Sequence, residues 1–257
     1  MNKLNFTKSL AREAGTLIRQ HFMQTDSVTK SDGSLVTAAD TLINKIVINA
    51  VKKNFPDYAV IGEEESFLPE RILGTWVCDP IDGTLPYSIG IPTCVFSLAL
   101  LNGDGDPVLG VVYDPFLEIM YWATKGGGAY KDGQQLQVNS IRKLDDALVG
   151  NSGRSSAVVN APKFKKYLYA RSYRPIILHS VIYESMLVAS GKIAATILTG
   201  SGAHDAASAK LIVEEAGGKV TSLFGEQQRY DQPINGAIIS NSQIHSIIVD
   251  LAKTYRL

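Results

Sequence analysis

The sequence is poor in the residues that most often build covalent or zinc chemistry. Its 257 residues include only two cysteines, Cys78 and Cys94, and both lie in apolar runs. Such cysteines are typical of a reduced core, and a disulfide or a metal-binding pair is the alternative. The four histidines lack zinc spacing, and no G-x-S-x-G segment or Cys-His arrangement is present. The sequence therefore signals neither a nucleophilic serine or cysteine nor a zinc site.

A surplus of charge and a long apolar run are also missing. Twenty-five Lys and Arg balance twenty-five Asp and Glu, so we expect no nucleic-acid or membrane partner, although a local patch would not show in this count. The longest clean apolar run, Leu98 to Leu101, is too short to cross a bilayer. Residues 1–20 have neither the apolar centre nor the cleavage site of a signal peptide. We expect a cytoplasmic globular protein, large enough for one domain or two lobes.

The most informative stretch is Asp79-Pro80-Ile81-Asp82-Gly83-Thr84. It follows residues 75–78, which read as a short buried strand, so we place it at a strand end, where functional residues are common. Two carboxylates this close repel each other unless a cation lies between them, and oxygen ligands favour Mg²⁺. Gly83 would let the backbone approach a phosphate. An ordinary Asx turn explains the same dipeptides, so this stretch alone leaves both interpretations open.

The first half of the chain combines helices with sheet. Helical spacing predicts a helix over residues 4–23 and a second to about Asn54, the latter opened by Thr37 and Asp40 in a capping box. A strand over residues 58–61 ends in three acids, which form either a solvated loop or part of a site. Hairpins are predicted for 95–101 with 108–113 and for 119–123 with 129–130. The glycines at 126–128 fit hairpin geometry better than a phosphate loop, because no helix follows them.

After about residue 145, strands and helices alternate, which is typical of an α/β lobe. We therefore predict an α+β lobe over residues 1–145 and an α/β lobe over residues 146–257, within one compact unit. A helix from 205 to 216 follows the turn Gly200-Ser201-Gly202. Asp205 is well placed as its N-cap, and two glycines after Ala216 are a typical helix stop.

Several motifs, taken together and in order, resemble the inositol monophosphatase family of Mg²⁺-dependent, lithium-sensitive phosphatases. The stretch 79–84 matches the family's D-P-[IL]-D-G-T, residues 62–64 its G-E-E, and residues 36–40 its V-T-x-x-D. Asp205-Ala206-Ala207 with Glu215-Ala216-Gly217-Gly218 matches its W-D-x-A-[AG] … E-A-G-G segment. The resemblance covers about residues 8–245. The wider superfamily includes fructose-1,6-bisphosphatases and 3′-phosphoadenosine-5′-phosphate phosphatases.

The resemblance implies a fold, a cofactor and roles for matched residues. The fold would be an alternating αβαβα layered sandwich with the site between the lobes, commonly in a homodimer, with two or three Mg²⁺ ions. A basic residue, Lys30, would lie near the site, and a weaker third metal would lie near Glu63 and Glu64. The implied metal ligands are Glu64, Asp79, the carbonyl of Ile81, Asp82 and Asp205. The implied catalytic residues are Thr84, Asp40 and Glu64. The implied substrate-binding residues are Asp82, Gly83, Thr84, Ser180, Val181 and Asp205.

Four positions depart from the family pattern. Pro86 replaces a frequent Asn, which we expect to tune local geometry, and His204 replaces the usual Trp before Asp205, where a titratable ring is expected to make activity pH-dependent. His179 replaces a glycine in the pocket-wall segment. Leu198 stands where inositol-specific members carry a Glu, and it cannot accept a hydrogen bond from a hydroxyl, which argues against myo-inositol monophosphate as the preferred substrate.

Three functions follow from these observations. The first is Mg²⁺-dependent hydrolysis of a small phosphorylated polyol, sugar or related metabolite. The second is hydrolysis of 3′-phosphoadenosine-5′-phosphate or fructose-1,6-bisphosphate. The third is phospholigand binding by a homologue that has lost turnover.

Overall fold

Two sheets dominate the computed structural model, which describes residues 2–24, 27–31, 33–152, 156–200 and 202–257. Ser201, in the predicted Gly-Ser-Gly turn, lies outside these ranges. The helices are α1 (Lys3–His21), α2 (Ala38–Asn54), α3 (Thr84–Ser88), α4 (Ala161–Arg171), α5 (Val181–Ala189), α6 (Ala207–Glu215) and α7 (His245–Thr254). The strands are β1 (Ser27–Thr29), β2 (Leu35–Thr37), β3 (Tyr58–Gly62), β4 (Gly74–Asp82), β5 (Val95–Leu101), β6 (Pro107–Asp114), β7 (Ile119–Thr124), β8 (Ala129–Lys131), β9 (Gln134–Gln135), β10 (Leu148–Ser152), β11 (Arg174–Ile176), β12 (Ala195–Leu198), β13 (Lys219–Thr221) and β14 (Ala237–Ser240).

The first large sheet has seven strands in the order β3-β4-β5-β6-β7-β8-β9. β3 and β4 are parallel, and the other neighbours are antiparallel, so the predicted β5–β6 and β7–β8 hairpins are confirmed. Every residue of β5 is buried. A central strand of this kind requires cover on both faces of the sheet, and the helices supply it.

The second large sheet has five strands in the order β11-β10-β12-β14-β13. β10 is parallel to both β11 and β12, while β14 is antiparallel to its two neighbours. The chain leaves β10 for β11 on one side and then returns to β12 on the other side. Ligands of α/β sheets commonly bind beyond the carboxyl ends of strands at such a switch point.

Alternating layers of helix and sheet confirm the αβαβα sandwich. Helices α1 and α2 share a buried cluster with one face of the seven-stranded sheet, including Trp76 and Leu98. Val77, on the opposite face, belongs to the cluster that contains α5 and α6 and reaches Ile239 of the five-stranded sheet. The outer face of that second sheet packs on α4 and α7. The two inner helices therefore lie between the sheets.

The structure corrects two predicted boundaries. β4 does not end at Cys78, because Asp79 and Asp82 continue the pairing with β5. The register shifts between these two positions, and a bulge of this kind accommodates Pro80, which has no N–H to donate.

Asp205 is not the N-cap of the helix that follows it. It lies in a single 3-10 turn, and α6 begins at Ala207 with Ala206 as N-cap.

Three further features of the fold concern the cysteines, a short hairpin and the lengths of the helices. Both cysteines are free and buried, as predicted for core residues. The antiparallel hairpin of β1 and β2 was not predicted from the polar loop around Lys30. Across the described part of the chain, no helix combines the length and the apolar character needed to span a membrane.

Candidate functional site

Residues of both large sheets line a cavity of about 390 Å³. Asp79 and Asp82 of β4 lie on one side, and Ser152 of β10 and Leu198 of β12 lie on the other. Among the residues predicted to bind substrate, the cavity is lined by Asp82, Gly83, Thr84, Val181 and Asp205. The cavity therefore opens where β10 and β12 end beside the bulged end of β4.

Three carboxylates converge on this cavity: Asp79, Asp82 and Asp205 each offer an oxygen within 4.8 Å of the other two. We call them the cavity triad. Burial, and then the charges of Glu63, Asp82 and Asp205, raise the pKa of Asp79 well above its ordinary range. Burial and the charge of Asp205 raise the pKa of Asp82 to about 8.

The cavity triad has the features of a cation site. Asp79 is 1% exposed, and its Oδ1 atom has no hydrogen-bond partner among the described residues. A buried acceptor without a donor is costly in a folded protein. Oxygen ligands in this number and of this charge suit Mg²⁺ or another hard divalent cation. The residues present therefore fit the metal that the sequence predicts.

Asp82 also joins β4 to the start of α5. Its Oδ2 atom accepts hydrogen bonds from the Ser180 hydroxyl at 2.5 Å, the Ile182 amide at 2.7 Å and the Tyr183 amide at 3.4 Å. The carboxylate therefore caps the first turn of α5 from another element. Ser180, which was predicted to bind substrate, is fully buried and is not among the described residues that line the cavity. Its hydroxyl donates to Asp82.

A second group of acids, the lysine-paired triad, consists of Asp40, Glu63 and Glu64. The Lys30 ammonium lies 3.1 Å from Glu63 Oε1 and 2.7 Å from Glu64 Oε1. Burial opposes a charge on Lys30, but the hydrogen bonds and charges of the two glutamates together raise its pKa. Glu64 and Asp79, both predicted metal ligands, belong to different triads, and the two triads share no member in the described part of the chain.

Asp40 and Thr84 form a link between the lysine-paired triad and the cavity. Asp40 Oδ2 accepts from the Thr37 amide at 2.8 Å and the Thr37 hydroxyl at 2.5 Å, which confirms the predicted capping box. Thr84 Oγ1 lies 3.4 Å from Asp40 Oδ1 and 3.1 Å from the Ile81 carbonyl. Burial raises the pKa of Asp40 to about 7, although the Thr37 hydrogen bonds oppose this shift. The carboxyl group is therefore held in place, with one oxygen directed at Thr84.

Gly83 permits the turn that follows the aspartates. Its φ of +100° lies in the left-handed region, and a Cβ there would lie 2.6 Å from the Thr93 carbonyl oxygen. Gly83 is the N-cap of the short helix α3, and both Gly83 and Thr84 line the cavity. Only a residue without a side chain fits this position.

Two glutamates near the cavity differ from their predicted standing. Glu63, predicted to lie near a weaker third metal, lines the cavity, and Glu64 does not. Glu184 is fully buried one turn into α5, and it was not singled out. A lone glutamate in an otherwise apolar helical stretch was a signal that could have drawn attention to it.

Comparisons with known proteins extend over nearly the whole chain. The model of the inositol monophosphatase family matches residues 2–256. A Thermotoga maritima protein described as "Fructose-1,6-bisphosphatase/inositol-1-monophosphatase" is 32% identical over 251 residues, covering 97% of this chain and 95% of that protein. The solved structure of a Thermotoga maritima IMPase has a TM-score of 0.88 at 28% identity, covering 99% of this chain and 98% of that chain. A structure described as IMPase/NADP phosphatase complexed with Mg²⁺ and phosphate has a TM-score of 0.85 at 26% identity, covering 98% of this chain and 97% of that chain.

Proposed function

Because the chain belongs to the inositol monophosphatase family and is a phosphatase that hydrolyses phosphomonoesters, we propose a specific activity. It is Mg²⁺-dependent hydrolysis of a small phosphorylated polyol, sugar or related metabolite, with water as the nucleophile. The cavity triad carries this proposal, because three converging carboxylates with an unpartnered buried oxygen need a cation. Bound Mg²⁺ supplies charge neutralisation to the phosphate and its leaving group.

Asp79, Asp82 and Asp205 hold the metal in this proposal. The Ile81 carbonyl and Glu64 are the further ligands, and two or three ions bind in all. Glu64 is paired with Lys30, so it would hold a metal ion in place of this ion pair. The Gly83 and Thr84 amides bind the phosphate at the start of α3.

Thr84 and Asp40 act on the attacking water. The Thr84 hydroxyl orients the water, and Asp40 Oδ1 accepts its proton through that hydroxyl. The water oxygen forms a bond to phosphorus as the bond between phosphorus and the ester oxygen breaks. The ester oxygen takes a proton from bulk water and leaves as the alcohol, and Asp40 returns its proton to bulk water. A pKa of about 7 gives Asp40 the proton affinity that suits acid–base work near neutral pH.

The lining of the cavity favours a substrate with a single phosphate. Among the described lining residues there is no lysine or arginine to bind a second phosphate. Leu198 lines the cavity and is 2% exposed, which supports the argument against myo-inositol monophosphate. The name of the Thermotoga maritima relative keeps fructose-1,6-bisphosphate as the second candidate substrate.

A phosphate-release assay over a panel of phosphomonoesters, with and without Mg²⁺, tests the proposal. The panel includes glycerol phosphates, hexose monophosphates, myo-inositol 1-phosphate, fructose-1,6-bisphosphate and 3′-phosphoadenosine-5′-phosphate. We expect Mg²⁺-dependent turnover that is fastest with a monophosphate of a polyol or sugar. Turnover that ignores Mg²⁺ would contradict the reaction, and a clear preference for myo-inositol 1-phosphate would contradict the substrate argument. A homodimer and a cytoplasmic location stay predictions.

A further inference from the structure

Residues 177–180 connect β11 to α5, and we call them the wall loop; His179 is the member of this loop that lines the cavity. We propose that the His179 side chain is a specificity-determining group for the alcohol part of the substrate. In this inference, which rests on the proposed function, His179 hydrogen-bonds a hydroxyl of the leaving group, and Glu184 is the positioning residue that holds the loop.

His179 has an unusual conformation for its residue type. Its φ is +58°, in the left-handed region that disfavours side chains with a Cβ. Five non-glycine residues in the described ranges have a positive φ, and His179 is the one among them that lines the cavity. Unfavourable backbone conformations persist where the surrounding structure enforces them, often at ligand sites.

Glu184 holds the backbone next to His179 and so supports its positive φ. This carboxylate is fully buried, and it belongs to neither acidic triad. Its Oε1 atom accepts from the Leu178 amide at 2.8 Å, directly before His179, and its Oε2 atom accepts from the Thr196 hydroxyl of β12 at 2.5 Å. Burying a carboxylate costs free energy unless hydrogen bonds compensate, and these two hydrogen bonds provide that compensation. Here it joins the wall loop to the central strand of the second sheet.

Two further contacts support this role. A Cβ on Gly150 would lie 2.6 Å from Glu184 Oε2, so β10 leaves room for the carboxylate. At the other end of the wall loop, Ser180 is held by Asp82. His179 is therefore fixed between two buried carboxylates, one on each side along the chain.

The chemistry of the wall points to hydroxyl groups. His179 is the one imidazole among the described lining residues, and an imidazole nitrogen can donate to or accept from a hydroxyl. Ser152, Ser156 and Asn235 add neutral polar groups to the same cavity. The acidic side chains of the lining are the two β4 aspartates, Glu63 and Asp205. A neutral leaving group that carries hydroxyls suits the part of the lining formed by the imidazole and these neutral polar groups.

Two substrates with the same carbon skeleton test this inference. Glycerol 2-phosphate carries two hydroxyls that isopropyl phosphate lacks. We measure the ratio of their kcat/KM values for the wild type, His179→Gly and His179→Asn. A lost hydrogen bond should lower the ratio about three- to tenfold in His179→Gly, while His179→Asn, which tolerates positive φ and keeps hydrogen-bonding groups, should retain part of it.

Glu118→Gly is the matched control. Glu118 also has a positive φ, of +56°, but it lies away from the cavity, on an exposed turn. Both glycine variants should keep a Tm at or above that of the wild type, because glycine accepts this conformation. Only His179→Gly should change the substrate ratio.

Variants of Glu184 test the positioning role. Glu184→Gln keeps an acceptor for the Leu178 amide and should keep the wild-type ratio. Glu184→Ala should lower both the Tm and the ratio. Thr196→Val, which removes the hydrogen bond between Glu184 and β12, should lower the Tm and should lower the ratio less than Glu184→Ala does.

The outcomes separate this inference from the proposed function. A wild type that hydrolyses both esters with Mg²⁺ but shows no preference, or an unchanged ratio in His179→Gly, would overturn the inference alone. An unchanged ratio in a folded Glu184→Ala variant would overturn the positioning role. A wild type that hydrolyses neither ester, and no other phosphomonoester, would overturn the proposed function and the inference with it.

Discussion

The cavity triad and the lysine-paired triad each contain three carboxyl groups but differ in the basic groups that lie beside them. In the lysine-paired triad, the Lys30 ammonium bonds both Glu63 and Glu64. In the described structure no lysine or arginine forms an ion pair with Asp79 or Asp82, and burial raises the pKa of both. The lysine-paired triad thus has an ammonium from the chain between two of its members, whereas in the described structure the basic side chain beside the cavity triad is His204, 3.5 Å from Asp205 Oδ2.

Asp82→Asn should have the largest effect and should change stability and activity in opposite directions. Loss of a charged metal ligand should lower kcat on the order of a thousandfold, the size seen when one strong charge-stabilising group is removed. Without Mg²⁺, the same variant should raise the Tm, because Asn mimics the protonated carboxyl that burial favours. Steady-state kinetics and melts in EDTA measure the two effects. Glu64→Gln is the matched comparison, and it should lower the Tm in EDTA because it weakens the Lys30 pair.

Thr84→Ala should lower kcat about a hundredfold, since it removes the hydroxyl between the water and Asp40. KM should change little, because the amides that bind the phosphate remain. Thr84→Ser keeps the hydroxyl and should recover most of the rate. Equal rates for the Ala and Ser variants would show that the hydroxyl has no part in catalysis.

Without metal, the free energy of unfolding should decrease as the pH rises toward 8. Most acidic groups have the opposite effect, because their pKa values are lower in the folded state than in the unfolded state. Asp82 and Asp40 have native pKa values of about 8 and about 7, against an ordinary 3.8. Between these limits the native state binds more protons than the unfolded state, so the free energy of unfolding decreases as the pH rises toward 8. Melts in EDTA should therefore show a higher Tm at pH 6.5 than at pH 8. Saturating Mg²⁺ should remove or reverse this trend, because protons compete with the metal.

Lys30→Gln should have the smallest effect. Its ion pairs are partly buried, with 25% of the Lys30 side chain exposed, so the loss in stability should be about 1 kcal/mol or less. Removing the competing ammonium should lower the Mg²⁺ concentration needed for half-maximal activity by a few-fold. A higher Mg²⁺ requirement would show that Lys30 supports metal binding instead of competing with it.

Local sequence spacing predicted the parts of the site that neighbouring residues form. Thr37 and Asp40 are three residues apart, and their capping box is present. The aspartates of 79–84 lie on one short segment, and its carboxylates converge as predicted. In each case the interaction is set by positions within a single turn or strand.

The features that sequence missed depend on contacts between distant parts of the chain. The Ser180 hydroxyl donates to Asp82, 98 residues away in the chain, and Ser180 is not among the described residues that line the cavity. Asp205 was expected to cap α6, which is wrong because the helix begins two residues later. Its grouping with Asp79 and Asp82 was implied by the family resemblance, and spacing along the chain does not predict it. Glu184 is explained only by the loop and the strand that fold around it. Spacing along the chain does not reveal such partners.

The most direct test of the account follows phosphate release from a single preparation as Mg²⁺ is removed and restored, alongside Asp79→Asn. The account predicts that wild-type release of phosphate from glycerol 2-phosphate stops in excess EDTA and returns when Mg²⁺ is added. It predicts that folded Asp79→Asn, which lacks the buried carboxylate at the centre of the cavity triad, regains no comparable rate. Equal release in EDTA and in Mg²⁺, or a wild-type rate in Asp79→Asn, would contradict it.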